Sequence, residues 1–79
     1  MKATVYSRPD CHLCHEAIES LAGLVTEFPG LQIEEIDIET DDDLLRRYLE
    51  RIPVIMIGGE IASELVFDAE PVRARLLNA

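Results

Sequence analysis

The spacing of apolar residues changes along this chain, and each change predicts a different secondary-structure element. Residues 4–6 form a β-branched and aromatic run that ends at a turn-forming segment, residues 7–10, and this predicts a first strand. From Cys14 to Phe28 the apolar residues recur at steps of three and four, which predicts an amphipathic helix. Asp10 is placed to cap the start of this helix, and Pro29 and Gly30 end it.

The middle of the chain predicts a second strand and a second helix. Residues 31–38 carry apolar side chains on both phases of a strand, so we expect both faces of the sheet to be covered. The many acids of this segment suit an edge strand, where charge discourages further pairing. Residues 41–51 follow a helical spacing and begin with three acids, which favour the positive end of a helix.

The last third of the chain predicts a hairpin followed by a third helix. Residues 54–57 form a continuous apolar run, as expected for a strand that is buried on both faces. Gly58 and Gly59 supply a tight turn into a fourth strand at residues 60–62. Asp68 can cap the third helix, which carries Pro71 in its first turn.

The order of these elements is β-α-β-α-β-β-α. It predicts an α/β fold with a four-stranded mixed sheet, in which a parallel pair precedes an antiparallel hairpin and helices cover both faces. Because a chain of 79 residues is too short to form two cores, we expect residues 1–79 to be a single domain.

The charge of the chain narrows the classes of partner. Sixteen acidic residues against seven Lys and Arg give a net charge of −9, which argues against nucleic acid or an anionic membrane as a partner. Seven of the ten residues 34–43 are acidic, and we interpret them as a solvated face or as a docking patch for a basic partner. The start of the chain lacks a signal-peptide pattern, and residues 54–57 are too few to span a bilayer. We therefore expect a cytoplasmic monomer.

The chain has two cysteines, Cys11 and Cys14, directly after the first strand. In a reducing compartment two cysteines at this spacing are more often catalytic or metal-binding than a permanent bridge. Cys11 stands at the first turn of the helix, where unpaired N–H groups favour a thiolate. Arg8 and His12 add positive charge, whereas the neighbouring Asp10 acts in the opposite direction, so the net effect of these charges stays open at this stage. Cys14 lies on the apolar stripe. We therefore interpret Cys11 as the nucleophile and Cys14 as the resolving thiol of a disulfide exchange.

Three segments together give a family resemblance: residues 7–14 (SRPDCHLC), residues 52–54 (IPV) and residues 57–59 (IGG). In this order they resemble the landmarks of glutaredoxins and of the short bacterial glutaredoxin-like proteins, within the thioredoxin superfamily. The resemblance runs over nearly the whole chain. It implies a thioredoxin-like fold, a redox-active disulfide, thiol-disulfide oxidoreductase activity and a part in cell redox homeostasis.

The resemblance also implies roles for residues outside the cysteine pair. The Ile52-Pro53 bond is expected to be cis and to face the cysteines, with the backbone of Ile52 pairing with the substrate chain or with glutathione. Arg8 corresponds to a Lys or Arg that glutaredoxins place near the glutathione carboxylate. At residues 62–65 the chain departs from glutaredoxins, which have a second Gly-Gly and a Ser-Asp pair for the γ-glutamyl end.

The implied partners are a disulfide-containing protein or a glutathione mixed disulfide, together with a thiol reductant. Glutathione is one candidate reductant, and no tightly bound cofactor is expected. Three alternatives stay open at this stage. The motif CHLCH matches c-type haem attachment. The two cysteines with His12 or His15 are suitable ligands for zinc or an iron-sulfur cluster. The chain could also be a binding module that keeps the fold without turnover.

Overall fold

A computed structural model describes residues 1–78 of the chain. The elements follow the predicted order, and a single 3-10 turn is added after the second strand. They are β1 (Lys2–Ser7), α1 (His12–Leu24), β2 (Gln32–Asp37), the 3-10 turn (Ile38–Thr40), α2 (Asp42–Tyr48), β3 (Val54–Ile57), β4 (Glu60–Glu64) and α3 (Ala69–Leu77).

The four strands form one mixed sheet in the order β2-β1-β3-β4. β1 pairs in parallel with β2, while the β1–β3 and β3–β4 pairs are antiparallel. The acid-rich β2 lies at an edge, as its charge predicted, and Glu34 and Glu35 are exposed there. The central strands β1 and β3 are buried, which agrees with the continuous apolar run of β3.

Each face of the sheet carries its own apolar cluster, so the helices cover both faces as expected. On one face α1 and α3 pack on the sheet through side chains such as Leu21, Ile55 and Val72, all completely buried. On the other face α2 and the 3-10 turn contribute Tyr48 and Ile38 to a smaller cluster. The rings of Tyr6 and Tyr48 stack there, with centroids 4.8 Å apart.

Two helices end earlier than their apolar spacing predicts, and in each case a turn follows the helix before a proline stops further helical structure. α1 ends at Leu24, although the apolar stripe continues to Phe28. Pro29 has no N–H to give to the carbonyl four residues earlier, and its ring would clash with that carbonyl, so the helix cannot extend through this segment. Pro53 limits α2 in the same way, and α2 ends at Tyr48 instead of residue 51.

The start of α1 also differs from the prediction. The N-cap is Cys11 and not Asp10, because Asp10 adopts a left-handed conformation with φ 61° and so turns the chain before the helix begins. The caps of the other two helices agree with the sequence. The side chain of Asp41 accepts the N–H groups of Asp43 and Leu44, and that of Asp68 accepts the N–H of Glu70.

The strand boundaries shift by small amounts. β1 extends to Lys2–Ser7 because it pairs on both sides, and β4 extends to Glu64, which pairs with Val54. β2 stops at Asp37, whose carboxylate accepts the N–H of Glu39 and starts the 3-10 turn. Among residues 1–78, no helix is both long and apolar enough to cross a membrane.

The acids of residues 34–43 are largely used within the fold. Asp37 and Asp41 cap the turn and helix that follow them. Most of the others pair with cations or with a hydroxyl group: Glu34 with Lys2, Glu35 with Ser7, Glu39 with Arg8, and Asp43 with Arg46. The segment therefore stabilises the edge strand and the start of α2.

Candidate redox site

Cys11 and Cys14 form a disulfide across the first turn of α1, with their Cα atoms 5.2 Å apart. Cys11 is the N-cap, in an extended conformation, and its Sγ accepts the N–H of Cys14 at 3.2 Å. Cys14 is only 2% exposed and packs at the base of the helix, whereas Cys11 is partly exposed. The predicted inequality in burial is therefore confirmed, and only one of the two sulfurs has an open approach.

The topology brings three loops to one end of the strands, and this end carries the disulfide. We call it the disulfide edge, and we call the opposite end, with the turn between β3 and β4, the hairpin edge. The cysteine loop follows Ser7 at the carboxyl end of β1. Because β3 runs antiparallel to β1 with Val54 opposite Tyr6, the segment before β3 lies at the same edge. β4 ends there as well, since Glu64 pairs with Val54. The loops at residues 8–11, 49–53 and 65–68 therefore surround one end of the molecule.

The Ile52-Pro53 bond is cis, as the family resemblance implied, and Pro53 is buried. The side chain of Ile52 packs into the smaller cluster with Tyr48 and Val54. Its N–H already donates to the carbonyl of Tyr48 at 3.0 Å. A substrate chain that pairs with this N–H must therefore displace that carbonyl, and the substrate-positioning role of Ile52 and Pro53 stays a prediction.

An open cavity of about 540 Å³ lies beside the disulfide on the side of β2. Besides the two cysteines, it is lined by Arg8, Pro9, Asp10, His12, His15, Ile18 and Glu35. The cavity thus contains two of the predicted positioning residues, Arg8 and His12, but not Ile52 or Pro53. Glu35 is held in place by the hydroxyl of buried Ser7, which donates to its carboxylate at 2.8 Å.

Arg8 and His12 both have carboxylate partners of their own. The guanidinium of Arg8 donates to a single oxygen of Glu39, from Nε at 2.9 Å and from Nη2 at 2.7 Å. An anionic substrate group must compete with Glu39 for this cation. The ring of His12 is largely exposed and lies 3.4 Å from Glu16, one turn along α1. The contribution of His12 to the thiolate stays a prediction.

A second groove, of about 490 Å³, lies on the other side of the first turns of α1. Leu13, Val66 and Phe67 give it an apolar floor, and Glu16 and Glu19 lie along it. The exposed fractions are 44% for Leu13 and 67% for Val66, which is unusual for apolar side chains beside a buried helix face. We call these five residues the acidic groove.

The loop that forms one wall of the acidic groove is held in shape by Ser63 and Arg51. The hydroxyl of Ser63 accepts the N–H of Asp68 at 3.1 Å and donates to the carbonyl of Val66 at 3.3 Å. The N–H of Leu65 donates to the carbonyl of Arg51 at 3.0 Å. Arg51 also pairs with Glu64, and this hydrogen bond raises the pKa of the guanidinium. The loop is thus fastened to the segment that precedes Pro53.

This loop was not predicted as part of the site. The sequence signal that could have indicated it is the apolar run Leu65, Val66 and Phe67. This run lies in the loop between β4 and α3 and does not follow the spacing of a strand or helix that faces the core. The run begins where the chain departs from the glutaredoxin pattern. Ser63 holds the loop, and Asp68 caps α3 through one of its carboxylate oxygens.

Comparison with known proteins decides the family of the chain. Residues 2–77 match the family described as glutaredoxin-like domain (DUF836). The chain belongs to this family. A protein of X. campestris, described as the structural genomics target XcR50, is 32% identical over 98% of this chain and 97% of its own, with a TM-score of 0.74. A designed protein is 27% identical over 98% of this chain and 73% of its own, with a TM-score of 0.60. No curated protein matches this member of the family significantly.

The family and the bonded cysteine pair fit a thiol redox role. The structure has the thioredoxin-like arrangement of a mixed sheet between two layers of helices. Within residues 1–78, no three His, Cys, Asp or Glu side chains are grouped so that they could hold a metal ion.

Proposed function

We propose that the protein is a cytoplasmic thiol-disulfide oxidoreductase that reduces disulfides through Cys11 and Cys14. The observation that carries this proposal is the unequal exposure of the two sulfurs at the start of α1. A nucleophilic cysteine must be accessible and must exist as a thiolate. In the reduced protein, the N–H of Cys14 that meets the Cys11 sulfur at 3.2 Å would stabilise a thiolate there, together with the positive end of the helix.

The reaction has two exchange steps. The Cys11 thiolate attacks one sulfur of a substrate disulfide, forms a mixed disulfide and expels the other substrate sulfur as a thiolate. The Cys14 thiolate then attacks the Cys11 sulfur and expels the second substrate thiolate. The protein is left with the Cys11–Cys14 disulfide, and two electrons have passed to the substrate. The burial of Cys14 suits this role, because its sulfur is closed to solvent and within bonding distance of the neighbouring Cys11 sulfur.

A thiol reductant returns the protein to its dithiol form by the same exchange in reverse. Glutathione or a dithiol protein has the required chemistry, and no tightly bound cofactor takes part. A reducing cytoplasm is the compartment in which such a cycle can run.

Cysteine variants test the proposal. With dithiothreitol as reductant, the wild type should accelerate reduction of an insulin-type disulfide and of a glutathione mixed disulfide. Cys11→Ser should lower the catalysed rate by about 100-fold or more, to that of dithiothreitol alone, because the nucleophile is gone. Cys14→Ser should keep the first step and accumulate a mixed disulfide at Cys11, seen as a mass increase that dithiothreitol removes.

The two variants are matched controls for each other, since each removes one sulfur atom from the same helical turn. If both keep wild-type rates, or if Cys11→Ser traps the substrate at Cys14, the proposed roles are wrong.

A further inference from the structure

The acidic groove presents an apolar surface beside Cys11 that the fold of the chain does not use. Leu13 lies between His12 and Cys14 in the cysteine motif, and it is 44% exposed. Across the groove, Val66 is 67% exposed, and Leu65, which precedes it just outside the groove, is 50% exposed. Side chains of this size usually lie inside a domain of this kind, and an apolar patch near a reactive group is typical of a contact surface.

The conformation of Leu65 supports a role for this loop outside folding. Leu65 has φ 68°, in the left-handed region that bulky residues rarely adopt. Ser63 and Arg51 hold the loop in this form through the hydrogen bonds described above. Backbone strain retained at a non-glycine residue is concentrated at functional sites. Here it turns two apolar side chains, Leu65 and Val66, towards solvent at the disulfide edge of the sheet.

The charge around the disulfide determines which class of substrate can bind to this surface. Four carboxylates line the two hollows on either side of Cys11: Asp10, Glu16, Glu19 and Glu35. One guanidinium, that of Arg8, lines them as well, and Glu39 already pairs with it. His12 and His15 also line both hollows, with their rings 3.4 Å from Glu16 and 2.8 Å from Glu19, so an approaching Lys or Arg replaces a ring contact at each of these two carboxylates. The net charge of the whole chain is −9, so the local field has the same sign as the field of the molecule.

The other Lys and Arg side chains also have interaction partners within the fold. Six of the seven Lys and Arg residues are in ion pairs with carboxylates: Lys2, Arg8, Arg46, Arg51, Arg73 and Arg75. The seventh, Arg47, lies over the ring of Tyr48 on α2, at the other face of the sheet from α1. An anionic substrate therefore finds no unpaired cation beside the cysteines among the residues that the structure describes.

We infer that the preferred substrate is a disulfide carried by a cationic polypeptide, with an apolar side chain that enters the acidic groove between Leu13 and Val66. This inference rests on the proposed function and names its substrate class. Lys or Arg residues on both sides of the substrate disulfide would meet Glu16 and Glu19 on one side and Asp10 and Glu35 on the other. Charge complementarity of this kind raises association rates and excludes partners of the wrong sign.

Two other candidate ligands of the acidic groove are negatively charged and would be repelled by its carboxylates. Glutathione disulfide is an anion with several carboxylates and would have to displace Glu39 from Arg8. A second copy of this chain could offer apolar side chains, but it brings a net charge of −9 to a groove that is itself acidic. The exchange step is the one written above: the Cys11 thiolate bonds to one peptide sulfur, and Cys14 then completes the transfer of two electrons to the peptide.

The test uses two peptides that share one intramolecular disulfide and one leucine and differ only in flanking residues, lysines in one and glutamates in the other. The protein is reduced, freed of reductant and mixed with each peptide or with glutathione disulfide. Samples are quenched by alkylation, and the oxidised fraction is read by mass spectrometry. Because any thiolate prefers a cationic disulfide, the same rates are measured with dithiothreitol in place of the protein.

The rate ratio of cationic to anionic peptide should be about tenfold or more above the ratio that dithiothreitol gives, and added salt should reduce it. Glutathione disulfide should react more slowly than the cationic peptide. The double variant Glu16→Lys and Glu19→Lys should bring the ratio down to the dithiothreitol value. The double variant Glu27→Lys and Glu60→Lys is the matched control, because it changes the net charge equally and also breaks two exposed ion pairs. Glu27 follows the end of α1 and Glu60 follows the hairpin turn, both at the end of the molecule away from the disulfide. It should retain most of the selectivity.

Each other outcome overturns a distinct claim. If the protein shows no excess selectivity over dithiothreitol, or if glutathione disulfide reacts as fast as the cationic peptide, the inferred substrate class is wrong while the oxidoreductase function stands. The same holds if the two double variants lower selectivity equally. If none of the disulfides oxidises the protein, the proposed function fails, and the inference fails with it.

Discussion

At one edge of the sheet the chain turns through Gly58 and Gly59, and at the opposite edge it passes through Asp10 and Leu65. All four residues have positive φ, with values of 62°, 80°, 61° and 68°. In the hairpin the conformation is taken by residues without a side chain, at little steric cost. At the disulfide edge side chains are kept: Asp10 belongs to a residue type that tolerates this conformation, whereas Leu65 adopts it in spite of a cost of about 1–2 kcal/mol. The hairpin edge therefore serves the fold, and we infer that the disulfide edge presents its side chains to the substrate proposed above.

The first way to break this comparison is to add a side chain at the hairpin edge. A Cβ at Gly59 meets nothing within 4 Å, so Gly59→Val adds only conformational strain. We expect it to lower the free energy of unfolding by about 1–2 kcal/mol, measured by denaturant titration, and to leave the peptide oxidation rate unchanged. Gly30→Val is the matched control, because Gly30 has the same free space without a positive φ. Equal losses from both variants would remove the conformational explanation.

The converse change is to introduce glycine at the disulfide edge. Leu65→Gly relieves the left-handed strain but adds flexibility to the unfolded chain, so we expect the free energy of unfolding to change by less than about 1 kcal/mol. The rate with the cationic peptide should fall by roughly fivefold, since apolar contact area is lost. Leu77→Gly, at an exposed leucine near the end of α3, should leave the rate unchanged. A rate that is insensitive to Leu65→Gly contradicts the assignment of this loop to the site.

Asp10 tests the charge of the same edge without a change of backbone. Asn also tolerates the left-handed conformation, so Asp10→Asn should fold as the wild type does. Loss of this carboxylate beside Cys11 should raise the rate of oxidation by glutathione disulfide by about two- to threefold at low salt. Asp42→Asn, on α2, changes the net charge equally and should have no effect on that rate. A decrease for Asp10→Asn would contradict the repulsive role of the carboxylate.

The smallest expected effect concerns an exposed ion pair that joins the segment after α1 to α3. Glu27, after α1, accepts hydrogen bonds from Arg73 of α3, and these bonds hold the pKa of the Glu27 carboxyl below its ordinary value of 4.5. A carboxyl group whose pKa is lower in the folded than in the unfolded state stabilises the fold at any pH above its unfolded-state pKa. This stabilisation is lost as the pH falls through the folded-state pKa. Glu27→Gln should therefore be slightly less stable than the wild type at neutral pH.

The difference between Glu27→Gln and the wild type should disappear as the pH falls below about 4.5, when followed by denaturant midpoints across the pH range. Because this pair is exposed, the effect should also shrink in high salt. A difference that grows on acidification would contradict the assigned role of the pair.

The order of elements was predictable from sequence because each element buries one clear stripe or run. The continuous apolar run of β3, the three- and four-residue steps of α1 and the two glycines of the hairpin each specify their own structure, and the caps at Asp41 and Asp68 specify where two helices begin. Helix ends were less predictable. Phe28 keeps the apolar period of α1 because it returns to the same core, although the helix has ended at Leu24.

The cysteine pair was equally predictable, because both its spacing and the burial of Cys14 follow from the helical stripe. Its surroundings were not. Arg8 pairs with Glu39 across the parallel strands, and Leu13 lies near Val66 only after the sheet has folded. Pairings between residues so distant in the chain depend on strand register, which local patterns do not encode. The same applies to the Ile52 N–H, which the last turn of α2 occupies.

The burial of Cys14 has a further consequence, for kinetics. With 2% of Cys14 exposed, oxidant and reductant must both enter through the Cys11 sulfur, and they cannot occupy it together. The proposed oxidoreductase should therefore follow a ping-pong scheme, with parallel lines in double-reciprocal plots when the two substrates are varied. The reductant must also approach the Cys11 sulfur past the same carboxylates. The reductant that serves this protein best should thus approach with a neutral or basic surface around its own thiol.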